Sequence, residues 1–178
     1  MFLKRCERCQ FMKPYFAFFV GEGISVTFFP LFEPFVNVIC LVVVPVLVYR
    51  KRFEELGVRN FKKGFLYGIS AFVFLPFINL IYFPVALIDA FSQELFFKGF
   101  FYSVFENEYI FWKISRLNLI SSFLYFLIFL TISRSLFSFS YFLVSIICGV
   151  LYEESDSIVA PFMFHLGFFL SKFSGIWR

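Results

Sequence analysis

Val85-Ala86-Leu87-Ile88-Asp89-Ala90-Phe91-Ser92-Gln93-Glu94-Leu95-Phe96-Phe97-Lys98-Gly99-Phe100-Phe101-Tyr102 is an apolar run broken by one polar cluster. Its flanks are apolar enough to lie inside a bilayer. Ionisable groups at that depth are costly, and they mark either a working site or a buried pair. The reading of the chain therefore turns on why Glu94 and Lys98 stand there.

Working outward, the rest of the chain is of the same kind. Of 178 residues, 61% are hydrophobic and only 16% are charged, against about 45–50% and about 25% in a soluble domain. A soluble globule of this size has too little interior to hide so much apolar surface. Apolar stretches recur at about 14–30, 34–49, 64–83, 85–105, 118–132, 137–152 and 157–171. Several fall short of the ~20 residues of a straight span, so tilt or flanking residues must extend them. The expected fold is all-α: a polytopic transmembrane bundle of about six or seven membrane helices. It forms a single membrane-embedded domain over 1–178, with a core at about 54–170 behind a basic N-terminus and leading helices. The 34 Phe residues show no repeating spacing and read as lipid-facing and packing positions.

The net charge of +4 comes from basic residues flanking apolar spans, which argues against a nucleic-acid partner. Lys4, Arg5, Arg8 and Lys13 precede the first span. Arg50, Lys51, Arg52, Arg59, Lys62 and Lys63 follow the second. Excess Lys and Arg on cytoplasmic loops places the N-terminus and the 50–63 loop on the cytoplasmic side of a multi-pass cell-membrane protein. No small-residue cleavage signature follows the basic start, so no removable signal peptide is expected. Cys40 and Cys148 sit in apolar runs and read as packing residues. Cys6 and Cys9 form a lone C-x-x-C without the second ligand pair a zinc site needs. Neither a metal nor a cofactor is expected.

On one helix, Glu94 and Lys98 stand at i and i+4 with the acid first, the favourable order for an ion pair. Asp89 and Gln93 repeat the spacing. Gly99 leaves room for a close neighbour. The Glu94–Lys98 pairing is expected within the helix, facing the bundle interior. Two roles remain open for it: a structural ion pair, and a carboxylate held for proton transfer. His165, the only histidine, lies in Ala160-Pro161-Phe162-Met163-Phe164-His165. It is expected to face the Glu94 helix, where a Glu and a His together can position a water or polarise a carbonyl.

Three segments in this order resemble the CPBP family of intramembrane proteases, also called the CAAX-protease or Abi family. Glu55-Leu56-Gly57-Val58-Arg59 with Lys63-Gly64-Phe65-Leu66-Tyr67-Gly68 is similar to the family's lead into a membrane helix. Gln93-Glu94-Leu95-Phe96-Phe97-Lys98-Gly99 resembles its E-E-x-x-x-R-G motif. Gly149-Val150-Leu151-Tyr152-Glu153-Glu154-Ser155-Asp156-Ser157 through Pro161 and His165 resembles its Tyr-acid-Ser-Pro-His segment. The resemblance implies an integral-membrane glutamic-type endopeptidase. It would act in prenyl-protein processing or bacteriocin self-immunity, among membrane lipids and on a membrane-anchored or lipidated peptide.

The departures bear on activity. In the family, the first Glu and a His on a later helix activate water, and a second His with an Asn four residues on stabilises the oxyanion. By that resemblance, Glu94 and His165 are the retained catalytic positions. Gln93 replaces the first Glu, Lys98 the Arg, Phe129 the first His and Phe169 the Asn, while Tyr125 stands at a family Phe. An amide accepts no proton at neutral pH. Two readings follow: a peptidase with altered roles for Glu94 and His165, and a non-catalytic relative that binds or shields a membrane peptide. A third, a small transporter-like bundle with Asp89, Glu94 and Lys98 lining a polar path, lacks the repeated halves of that class.

Overall fold

Proline, glycine and short polar caps divide the apolar chain into helices in this computed structural model, which describes Phe35, residues 38–133 and residues 138–172. The basic segment Lys4–Lys13, Cys6, Cys9 and the apolar stretch 14–30 lie outside the described residues. Among those described there are six helices and one two-stranded sheet. Helix α1 (Ile39–Val48) is π-wound and contains Pro45. Helix α2 (Phe61–Gly68) begins after Asn60, whose backbone is left-handed at φ 51°, and tightens into a 3₁₀ segment, Ile69–Phe77. Helix α3 (Leu80–Val104) is composite: a 3₁₀ turn, an α segment Phe83–Glu94, a π-wound Leu95–Phe100 and a last α turn. Asn79 caps its start by accepting from the Ile81 N–H at 3.1 Å, and Pro84 opens its α segment, where no backbone donor is needed.

A hairpin follows, β1 (Tyr109–Phe111) against antiparallel β2 (Ile114–Ser115). Helix α4 (Arg116–Ser133) starts from a Ser115 cap, its hydroxyl accepting from the Asn118 N–H at 3.0 Å. Helices α5 (Ser138–Ser155) and α6 (Val159–Lys172) are joined by a tight turn through Asp156, at φ 50°. Helix α6 is the hub, packing against α2 and its 3₁₀ extension, α3 and α5, while α4 and α5 form the closest pair.

The burial pattern is that of a membrane protein. Charged and polar groups (Glu94, Lys98, Asn118, Ser121, Ser122, His165) are buried, while Phe65, Leu66, Phe72, Val73, Phe123, Leu143 and Ile147 are exposed. Exposed apolar faces on several helices of one small protein mark contact with an apolar surrounding. Helix α3, at 25 residues, is the one described helix long and apolar enough to cross a bilayer; Ile39–Val48 and Arg116–Leu130 are apolar but shorter. The expected six or seven spans thus meet six described helices, of which one has span length. The stretch 64–83, read as one helix, is divided between α2 with its 3₁₀ extension and the start of α3. Pro76 supplies no N–H donor and Ile78 turns extended at ψ 130°.

Glycines set the closest approaches. A methyl group on Gly64 would lie 2.6 Å from Ser157 Oγ and 2.8 Å from Val159 Cβ, and one on Gly68 would lie 2.5 Å from Met163 Sδ. The Gly64-x-x-x-Gly68 spacing is the small-residue ridge that lets membrane helices meet closely, here α2 against α6. Gly64→Leu is expected to cost about 1–3 kcal/mol by overpacking. Gly68→Ala should cost less, because the Met163 side chain can move aside. Thermal unfolding in detergent measures both.

Candidate functional site

The polar cluster of α3 meets the other helices in two separate directions. Glu94 is 3% exposed, and its Oε1 lies 2.6 Å from Nδ1 of His165 on α6, itself 1% exposed. His165 Nε2 in turn contacts the Tyr125 hydroxyl on α4 at 2.9 Å, and that hydroxyl donates to Gln93 Oε1 at 2.5 Å. The result is a chain of four side chains from three helices: Gln93, Tyr125, His165, Glu94. With the tyrosine proton on Gln93, Nε2–H of His165 donates to the tyrosine oxygen. The Nδ1–Oε1 contact then closes the chain at Glu94. A buried carboxyl and a buried imidazole are tolerable together because each supplies a hydrogen-bond partner to the other. Glu94 Oε2 is buried without a hydrogen-bond partner among the described residues.

Lys98 faces elsewhere, which corrects the expected Glu94–Lys98 ion pair. Its Nζ donates to Asn118 Oδ1 (3.4 Å), Ser121 Oγ (3.1 Å), Ser122 Oγ (3.4 Å) and Ser145 Oγ (3.3 Å), on α4 and α5. Both groups are interior, as expected, but each finds its partners on other helices. Two features explain the difference. The helix changes winding immediately after Glu94, so the α-helical offset assumed for the spacing does not apply. And a buried ammonium has three N–H groups to satisfy, which four converging oxygens do better than one carboxylate.

His165 faces the Glu94 helix as expected. Gln93 lies beside it, bound through Tyr125. Phe129 and Phe169 also reach this place, and both fill it with rings. Phe169 sits on the His165 imidazole at 4.4 Å between centroids, and Phe129 stacks on Tyr141 at 4.0 Å and 10°. The Tyr125 ring is flanked by Phe97 at 5.1 Å and by Phe129 at 4.8 Å. Tyr125 is the link that the sequence reading missed as a site residue. A hydroxyl inside the apolar run Leu124–Leu130 must find a partner at membrane depth, and that signal could have found it.

Cys148, expected to be inert packing, stands at the same site. Ligand atoms of Glu94, Cys148 and His165 lie within 4.8 Å of one another, and the Cys148 thiol is 3.6 Å from the Pro161 carbonyl. Both ring nitrogens of His165 are already engaged, one with Glu94 and one with Tyr125, so the imidazole has no free nitrogen for a metal in this arrangement.

The other two motif segments form a clamp at one end of the bundle. Gly57, at φ 84°, accepts from the Ile158 N–H at 2.8 Å, and Arg59 donates to Asp156 Oδ1 at 2.5 Å. Asn60 Nδ2 donates to Asp156 Oδ2 at 2.9 Å. The carboxylate of Asp156 keeps the Arg59 guanidinium more strongly protonated than usual. Beside the clamp, a cleft of about 440 Å³ is lined by Lys51, Tyr102, Tyr109, Tyr152 and Glu153 among others. Glu153 Oε1 accepts from Tyr102 (2.8 Å) and from the Ser115 hydroxyl. These contacts tie the loop after α1 and the hairpin to the end of α5, and so fix the frame holding the buried cluster.

A family model described as type II CAAX prenyl endopeptidase Rce1-like matches residues 75–170, more than half of the chain. The match runs from the end of the 3₁₀ extension of α2 into the last turn of α6 and includes Gln93, Glu94, Tyr125, Phe129, His165 and Phe169. No curated protein and no solved structure matches.

Proposed function

We propose, from the premise that this chain belongs to the type II CAAX prenyl endopeptidase Rce1-like family, that it is a member without family-type hydrolysis, serving to bind or shield a membrane-anchored or lipidated peptide. The family is one of integral membrane proteins, and the chain has a helix fit to cross a bilayer. In this reading it is multi-pass, with its basic N-terminus and the 50–63 loop on the cytoplasmic side.

One observation carries the proposal: aromatic rings pack directly on the Tyr125–His165 pair. Phe169, which by the resemblance stands at the family's oxyanion donor, covers His165, and Phe129, which by the same resemblance stands at its second water-activating group, stacks on Tyr141. Gln93 is tied to Tyr125 and has no basic oxygen to offer a water. General-base and oxyanion groups each typically contribute about 10²–10⁴-fold. Losing them together leaves a residual rate near background. Glu94 and His165 then hold α3 to α6 and maintain the shape of the bundle.

The test compares the wild type, Glu94→Ala and the triple variant Gln93→Glu, Phe129→His, Phe169→Asn for cleavage of a prenylated membrane-anchored peptide. The wild type is expected to cleave no faster than Glu94→Ala. Wild-type cleavage above background would end the non-catalytic reading, and its loss in Glu94→Ala protein that still shows a folded unfolding transition in detergent would make Glu94 the working carboxylate. Cleavage by the triple variant alone would show that the scaffold still positions the family's groups.

A further inference from the structure

Among the described residues, nothing covers the tip of the hairpin between α3 and α4. Tyr109, Ile110, Phe111 and Trp112 are 63%, 62%, 71% and 83% exposed, so both faces of β1 are open. A two-stranded hairpin with neither face packed is marginally stable at best in water. Trp112 also holds a left-handed backbone at φ 46°, costly for a bulky side chain and maintained only where the surroundings impose it.

The base of the hairpin is firmly held. There the Arg116 N–H donates to the Glu108 carbonyl at 2.7 Å and Ser115 donates to Glu153, and in the turn Lys113, next to Trp112, pairs with Glu154 at 2.8 Å. That ammonium holds the Glu154 carboxyl below the usual carboxylate range. A rigid base with an apolar, strained tip describes a finger aimed at something.

We propose that Ile110, Phe111 and Trp112 insert into the headgroup–acyl boundary of the bilayer and fix the depth of the bundle. The occupant follows from position and composition. The finger begins five residues after α3 ends at Val104, and α3 at 25 residues is roughly 37 Å long by α-helical rise, enough to reach the far interface of a ~30 Å hydrocarbon core. Exposed Glu106, Asn107 and Glu108 mark the polar level between them. Trp and Tyr with an adjacent Lys is the composition that settles at that level. A second copy of the chain is a poorer fit, because three or four residues supply far less than the ~800 Å² per partner of a stable interface.

The chain has two Trp residues, Trp112 and Trp177. In a Trp177→Phe variant, Trp112 is the sole reporter. The full chain is reconstituted in phosphatidylcholine vesicles whose lipids carry bromine near the headgroup end of the acyl chains, near their methyl end, or not at all. Trp112 emission is expected to be blue-shifted, quenched more by shallow than by deep bromine, and weakly quenched by aqueous acrylamide. Strong acrylamide quenching without bromine quenching would place the tip in water and refute the proposal. Protection from both quenchers that grows with the protein-to-lipid ratio would assign the tip to a second copy and refute it equally. If Trp177→Phe fails to fold, the difference in quenching between the wild type and Trp112→Phe gives the same reading.

Discussion

Glu94→Ala is expected to be the most destabilising single substitution in the chain, costing about 3–5 kcal/mol, because it removes one member of a buried hydrogen-bonded pair and strands the other. The stranded group is His165, whose Nδ1 has its 2.6 Å contact with Glu94 and no room to reach water. The partner assignment makes the prediction specific. His165→Leu added to Glu94→Ala should cost less than the sum of the two single changes, since the second change removes the orphan. Lys98→Leu added to Glu94→Ala should be close to additive, since Lys98 bonds Asn118 and three serines instead. Thermal unfolding of the single and double variants in detergent reads both cycles. Rescue of Glu94→Ala by Lys98→Leu would mean that the carboxylate belongs to the lysine after all.

Gly99→Ala is expected to follow, at or above the upper end of the about 1–3 kcal/mol typical of overpacking. A methyl group there would lie 2.2 Å from the Leu56 carbonyl oxygen and 2.9 Å from its carbonyl carbon. The obstacle is backbone, and it cannot retreat. Leu56 is fully buried, its N–H donates to the Arg52 carbonyl at 3.1 Å, and the next residue is held by the Ile158 N–H. The contrast with Gly68→Ala, which meets a flexible methionine, is the control. A Gly99→Ala protein that unfolds at the wild-type temperature would show that the 50–60 loop does not rest on α3.

Much of the molecule was legible in its sequence because bilayer constraints act on each residue separately. The apolar content and the spacing of polar breaks require helices with buried backbone. The cost of a charge at depth predicts that Glu94, Lys98 and His165 point inward wherever their helices stand. Two of the three motif segments lie within the residues that the family model matches, and the family was legible from them before any contact was visible. Less visible were features of weak local pattern. Tyr109-Ile110-Phe111 reads as more apolar sequence, and only its pairing with Ile114-Ser115 makes it a strand. The 3₁₀ winding of Ile69–Phe77 and the π winding of Leu95–Phe100 leave no periodic signature, since those segments are apolar on nearly every face.

What the sequence determined by itself is therefore the solvent, the helical class, the family and the list of polar groups that must be satisfied. Which group satisfies which was decided only by the tertiary structure. Spacing at i and i+4 specifies neighbours on one helix, but a buried side chain bonds whatever acceptors surround it in space. The acceptors of Lys98 are 20 to 47 residues away along the chain, and the partner of Glu94 is 71 residues away. Helix packing set by Gly64, Gly99 and Gly149 brings those distant positions together. It also brings Tyr125 and Cys148 to the cluster, and it lays Phe129 against Tyr125 and Phe169 against His165.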